Sequence, residues 1–132
     1  MGVHTFLYRG TGGRLGHKIP GLRGRMLLLD HVGAKTGTHR TAPLQYVSDG
    51  ENVVVIASKG GFHKHPAWFH NLMAKPDTTV QIGSEHRAVH AREARPEERE
   101  RLWDKAVKIY RPYEDYKARA ERKIPVVVLE PR

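Results

Sequence analysis

Cysteine is absent from the 132-residue chain, and with it disulfides, thiolate nucleophiles and Cys-ligated metal centres. A cysteine-free protein suits a reducing, cytoplasmic compartment. Long hydrophobic runs are missing too: the longest, Met26–Leu29, Val53–Ala57 and Val126–Leu129, fall far short of the ~20 residues that cross a bilayer. The first residues lack the apolar segment and small-residue cleavage site of an export signal, so a cytoplasmic protein with at most peripheral membrane contact is expected. No Gly-x-Gly-x-x-Gly turn, phosphate-loop motif, His-Glu-x-x-His or Gly-x-Ser-x-Gly occurs. That argues against a Rossmann domain, a P-loop enzyme, a zincin and a serine hydrolase.

Acidic residues are scarce as well. Lys and Arg number 23 against 14 Asp and Glu, a difference of 23 − 14 = +9, and such an excess favours polyanionic partners. Residues 1–25 carry Arg9, Arg14, Lys18, Arg23 and Arg25 with no acid, among glycines that prevent a long regular element. From Arg92 to Lys123, however, the charges alternate in sign, the mark of a solvated helix face rather than a phosphate-tracking stripe, and no nucleic-acid-binding signature is present.

At 15.0 kDa the chain is the size of one domain, residues 1–132, with 1–25 a basic, glycine-rich lead-in. Met26 to Val32, Thr38 to Val47 and Val53 to Ser58 have the composition of strands, the last two joined by a hairpin at Asp49-Gly50. Pro66 opens a helix that carries Trp68, Phe69 and Leu72, and Lys75-Pro76 stops it. A second hairpin follows over Thr78 to Ile82 and His86 to Arg92. A second helix starts at Pro96, Pro112 interrupts it, a further turn or two spans Tyr113 to Glu121, and Ile124 to Leu129 is a closing strand. About six short antiparallel strands with two or three helices predict an α+β domain built on a small barrel.

Three groups of residues could carry chemistry. Lys35 sits on a glycine-bounded tip and Arg40 at the start of the returning strand; a guanidinium fork and nearby backbone N–H groups suit phosphate or carboxylate oxygens, although isolated turn cations are ordinarily only solvated. Ala57-Ser58-Lys59-Gly60-Gly61 leads into the Pro66 helix, where orphan N–H groups and the helix dipole favour an anion. Taken together, the two loops favour a site for a phosphate-bearing ligand. Tyr110, Tyr113 and Tyr116 are spaced by three about Pro112; they are either packing residues or a phenolic wall able to stack on a flat ligand and donate a proton. His63, His65 and His70 have no Asp, Glu or Cys near them, and no metal is expected.

In order and spacing these pieces resemble the deazaflavin-dependent nitroreductase family of actinobacteria, small split-barrel proteins related to flavin-binding barrels. The resemblance covers nearly the whole chain. It runs through Gly33-Ala34-Lys35-Thr36-Gly37-Thr38-His39-Arg40, Pro43-Leu44 and Ala57-Ser58-Lys59-Gly60-Gly61. It continues in His65-Pro66-Ala67-Trp68-Phe69-His70-Asn71-Leu72, Tyr110-Arg111-Pro112-Tyr113-Glu114-Asp115-Tyr116 and Ile124-Pro125-Val126-Val127-Val128-Leu129. It implies an FMN-binding split-barrel-like fold and, as cofactor, coenzyme F-420, an 8-hydroxy-5-deazaflavin with a phosphodiester and polyglutamate tail. Lys35 and Arg40 would then meet the tail, Pro43 and Leu44 the ring, and Ala57, Ser58, Lys59, Gly60, Gly61, Pro66, Trp68 and Asn71 the ring and phosphate. Tyr110, Tyr113 and Tyr116, with Ser58, would stand on the substrate side. The implied activity is hydride transfer to a small electron-poor acceptor such as a quinone, nitroaromatic or enone. An FMN-dependent enzyme and a non-catalytic carrier of F-420 or flavin are the alternatives, and the protein would be a monomer or homodimer.

Overall fold

The computed structural model describes residues 25–61, 64–120 and 122–132; the lead-in before Arg25 lies outside them. Six strands, β1 (Arg25–Val32), β2 (His39–Asp49), β3 (Asn52–Ile56), β4 (Asp77–Ile82), β5 (Glu85–Glu93) and β6 (Val126–Pro131), close into an antiparallel barrel in the order β1-β2-β3-β6-β5-β4. Closure by β1 on β4, with Leu28 opposite Gln81 and Leu29 opposite Val80, leaves no open sheet edge. Among the described residues three α-helices pack around it: α1 (Ala67–Ala74), α2 (Pro96–Ile109) and α3 (Pro112–Ala120).

Side-chain alternation sorts the strands into two cores. Leu27, Leu29, Val53, Val55, Val127 and Leu129 point into the barrel, where Trp68, Phe69 and Leu72 of α1 pack against them. Val54, Ile56, Val126 and Val128 point outward and are covered by Leu102, Trp103 and Ala106 of α2 and Tyr113 of α3. β3 and β6 are therefore apolar on both faces, which explains their unbroken valine runs. They pair directly, Val53 with Leu129 and Val54 with Val128.

The helix starts follow local chemistry. Pro96 fills the first position of α2, and Glu98 accepts the Arg95 N–H at 2.8 Å, satisfying one orphan donor. Pro112 lacks the N–H needed to continue α2, so the chain breaks at Tyr110 and restarts as α3. Trp103 Nε1–H donates to Glu114 at 2.7 Å, binding α3 to α2.

Several element ends differ from the expectations by a few residues. β2 continues to Asp49, so the Asp49-Gly50 hairpin is tighter, with Gly50 at φ 61. β3 ends at Ile56, because the Ser58 carbonyl turns away from the sheet to accept Gly61 N–H at 3.0 Å, forming a short 3-10 turn at Lys59–Gly61. β6 begins at Val126, after Pro125, which has no donor for the ladder.

Candidate active site

The end of β3, the 3-10 turn, the start of α1 and the first turns of α3 surround a cleft of about 360 Å³. Its sheet wall comes from β1 to β3: Met26, Pro43, Gln45 and Ile56 from the outer surface, and Leu44, whose side chain packs against the barrel core. Ser58, Lys59, Pro66 and Trp68 form one rim, and Tyr110, Tyr113 and Tyr116 the facing one. The tyrosines form an edge-to-face cluster, with Tyr110 and Tyr113 ring centroids 5.0 Å apart and Tyr113 and Tyr116 6.2 Å apart. The Tyr110 and Tyr116 hydroxyls lie 2.9 Å apart, so one donates to the other.

The phenols differ in environment. Tyr113 is 6% exposed and its hydroxyl has no hydrogen-bond partner among the described residues; burial, then the neighbouring phenols, push its ionisation well above the ordinary tyrosine value. Tyr110 is pushed up chiefly by its hydrogen bond with Tyr116. Both are protonated at neutral pH and can act as donors.

A second cleft of about 530 Å³ lies beyond Trp68, which lines both. Its other walls are His31 of β1, His39, Arg40, Thr41 and Ala42 of β2, and Ala67 of α1. α1 begins there with no side-chain cap, and while Phe69 N–H donates to the Pro66 carbonyl at 3.0 Å, the N–H groups of Ala67 and Trp68 are, among the described residues, open to an external acceptor. Among the described residues neither Lys35 nor Arg40 forms an ion pair with a carboxylate, whereas Arg92, Arg101 and Lys105 do. The first, aromatic cleft is walled by three tyrosines and carries Lys59; the second, the cationic cleft, holds Arg40 between His31 and His39, and a tryptophan joins them.

The F420H(2)-dependent quinone reductase family model matches residues 1–131. The chain belongs to that family. An F420H(2)-dependent quinone reductase of Mycobacterium tuberculosis strain H37Rv is 42% identical over 98% of this chain and 89% of its own. Among solved structures, an F420-H2 dependent reductase, FDR-A, superposes with a TM-score of 0.73 at 40% identity over 80% of this chain and 93% of its own. A relative solved as a domain-swapped dimer superposes at 0.77, with 38% identity over 96% of this chain and 92% of its own.

In this quinone reductase family member, nine of the residues singled out in the sequence meet at the aromatic cleft: Pro43, Leu44, Ser58, Lys59, Pro66, Trp68, Tyr110, Tyr113 and Tyr116. Arg40 meets Trp68 at the cationic one. Of the others, Gly60 belongs to the 3-10 turn, and Lys35, Ala57, Gly61 and Asn71 line neither cleft. Lys35 sits on the exposed tip of the β1–β2 loop and Ala57 is fully buried against the barrel core. Gly61, at φ 83, packs against α3: a Cβ there would come within 3.0 Å of Tyr116 Cα. Asn71 turns both polar atoms inward, its Oδ1 accepting Ala34 N–H and its Nδ2 donating to His31 Nδ1, each at 3.0 Å.

Sequence reasoning missed Met26, Gln45 and Ile56 on the sheet wall, His31 and His39 in the cationic cleft, and Arg122. Met26 and Gln45 are cross-strand partners, so the pair becomes visible only once register is known. The Arg122 guanidinium donates to the carbonyls of Ala57 at 3.1 Å and Ser58 at 3.0 Å and to His65 Nδ1 at 2.7 Å, joining the chain after α3 to the opposite rim. No motif marks it. His65, a candidate in the metal question, serves here as an acceptor; burial and then the Arg122 charge hold its ionisation below the ordinary histidine value.

Proposed function

We propose that this protein is an F-420-dependent oxidoreductase that reduces quinone-type acceptors. The observation that carries this reading is the joining of the two clefts at Trp68: an aromatic compartment suits a deazaflavin ring, and a cationic compartment suits a phosphodiester and glutamate tail. Both the family and its 42%-identical mycobacterial relative are named for dependence on F420H(2), which supports the same cofactor here. Reduced deazaflavin, when bound, supplies a hydride.

The chain's own residues divide the remaining work. Pro43, Leu44 and Trp68 present apolar surface that excludes water from a flat ring. Lys59 and the turn around it lie beside the uncapped start of α1, where anionic oxygens are favoured. On the far rim, a quinone oxygen gathers negative charge as it is reduced, and a protonated phenol beside it both stabilises that charge and gives up the proton the product needs. Tyr113 is the donor in this reading, because its hydroxyl is not engaged by a neighbour, whereas those of Tyr110 and Tyr116 engage each other.

A spectrophotometric assay tests the assignment: reduced F-420 mixed with the protein and a series of benzoquinones and naphthoquinones should be reoxidised, with return of the oxidised deazaflavin absorbance. Absence of turnover with every quinone, despite tight cofactor binding, would leave a carrier and overturn the enzyme reading.

A further inference from the structure

His31 carries no part of the reading above, yet it is 6% exposed on the wall of the cationic cleft and sits beside Arg40 in the β1–β2 register. Its ring is tied to α1. Asn71 Nδ2 donates to His31 Nδ1, and Asn71 Oδ1 accepts the backbone N–H of Ala34, the residue before Lys35. The loop is otherwise closed on itself, by Gly37 N–H to Gly33 carbonyl at 2.8 Å and Gly33 N–H to Thr38 carbonyl at 2.9 Å. Among the described residues, Asn71 is thus the hydrogen-bonded link from this loop to α1.

The amide has two orientations, and the ring selects one. A neutral His31 with its hydrogen on Nε2 offers Nδ1 as an acceptor, which turns Nδ2 toward the ring and Oδ1 toward Ala34. Flipping the amide would set donor against donor at Ala34 and acceptor against acceptor at the ring. Asn71 is only 9% exposed, so water does not readily replace either bond. Burial, then the Arg40 charge, keeps the ring neutral against the opposing pull of Asp30.

We propose that His31 is a positioning residue: through Asn71 it latches the Gly33–Gly37 loop to α1, and so sets Lys35 and Arg40 where they receive the anionic tail of the cofactor. The latch rests on the deazaflavin reading for its ligand but not for its geometry. It gives Asn71 a role as an intermediary rather than a ligand contact.

The test separates the two halves of the cofactor. In His31→Leu, affinity for F-420 should fall about tenfold, the size of one lost buried hydrogen bond, while affinity for the deazaflavin chromophore without its phosphate and glutamates stays unchanged. The Ala34 amide should also lose protection in hydrogen exchange. Equal weakening of both ligands, no change in either, or a still-protected Ala34 amide overturns the latch. Should the unmodified protein bind the two ligands equally, the tail-site reading fails, and exchange at Ala34 alone then decides the latch. Asn71→Asp provides a second check: a carboxylate can accept from both Ala34 N–H and a protonated His31 Nδ1, so the His31 titration followed by NMR should move upward. An unmoved titration overturns the contact.

Discussion

Tyr113 illustrates how one phenol comes to differ from two others three residues away. Its ring packs against Trp103, with centroids 6.3 Å apart, and belongs to the outer core. Burial both fixes its position and keeps it protonated. Tyr113→Phe preserves the ring and removes the proton, so kcat with a quinone should drop at least tenfold, on the order of the contribution of a positioned general acid, with cofactor affinity unchanged. Stopped-flow oxidation of the reduced cofactor reads this directly. An undiminished rate would move the donor role to the Tyr110–Tyr116 pair. Asn71 shows the converse: its type and place in the motif suggested a ligand contact, but its hydrogen bonds go to Ala34 and His31, 37 and 40 residues away in sequence. Nothing in the local sequence announces partners at that distance.

Among the elements, the contact of the 3-10 turn with α3 sets the width of the aromatic cleft. Gly61 allows it, because the approach leaves no room for a side chain and φ 83 is a left-handed conformation that costs other residues energy. Gly61→Ala combines that strain with a Cβ 3.0 Å from Tyr116 Cα and 3.2 Å from its carbonyl oxygen. The expected loss of stability is roughly 1–3 kcal/mol, read by thermal or urea denaturation, with a raised KM for quinone as α3 shifts. Stability and KM both unaltered would mean the turn yields without moving the helix. Arg122 reinforces the same junction from the other side, holding the carbonyls of Ala57 and Ser58.

At the scale of the molecule, several cations among the described residues are paired with carboxylates. Asp49 accepts from Arg101 at 2.8 Å and Lys105 at 3.2 Å, and these cations, Arg101 foremost, bring its ionisation down to about 2. Arg92 pairs with Glu98 and Glu130. Asp49 and Glu98, both lowered by these cations, contribute stability above the ordinary carboxylate range and lose it as pH falls toward their folded values. The histidines act earlier. His31 and His65 both titrate below the ordinary 6.5, chiefly through burial, so the unfolded chain takes up their protons first as pH drops. Their contribution is complete above 6.5 and is lost as pH falls from there toward the folded values. Melting temperature should therefore decline between about pH 7 and pH 5, before the carboxylates titrate, and the decline should flatten in a His31→Leu, His65→Gln double variant. A flat profile in the unmodified protein would contradict the burial of these rings.

The sequence by itself determined the strand and helix succession, because valine runs, Asp-Gly, and prolines at helix starts act over a few residues. It also determined that two basic, glycine-rich loops and a tyrosine triplet were the places to look, since residue type limits the chemistry each can do. Only the tertiary structure decided which of those residues share a cavity. Barrel closure and strand register bring Met26 to Gln45 and His31 to Arg40, and the packing of α1 and α3 onto the barrel assigns Trp68 to both clefts and Asn71 to neither. These placements depend on contacts between residues tens of positions apart, and local preference carries no record of them.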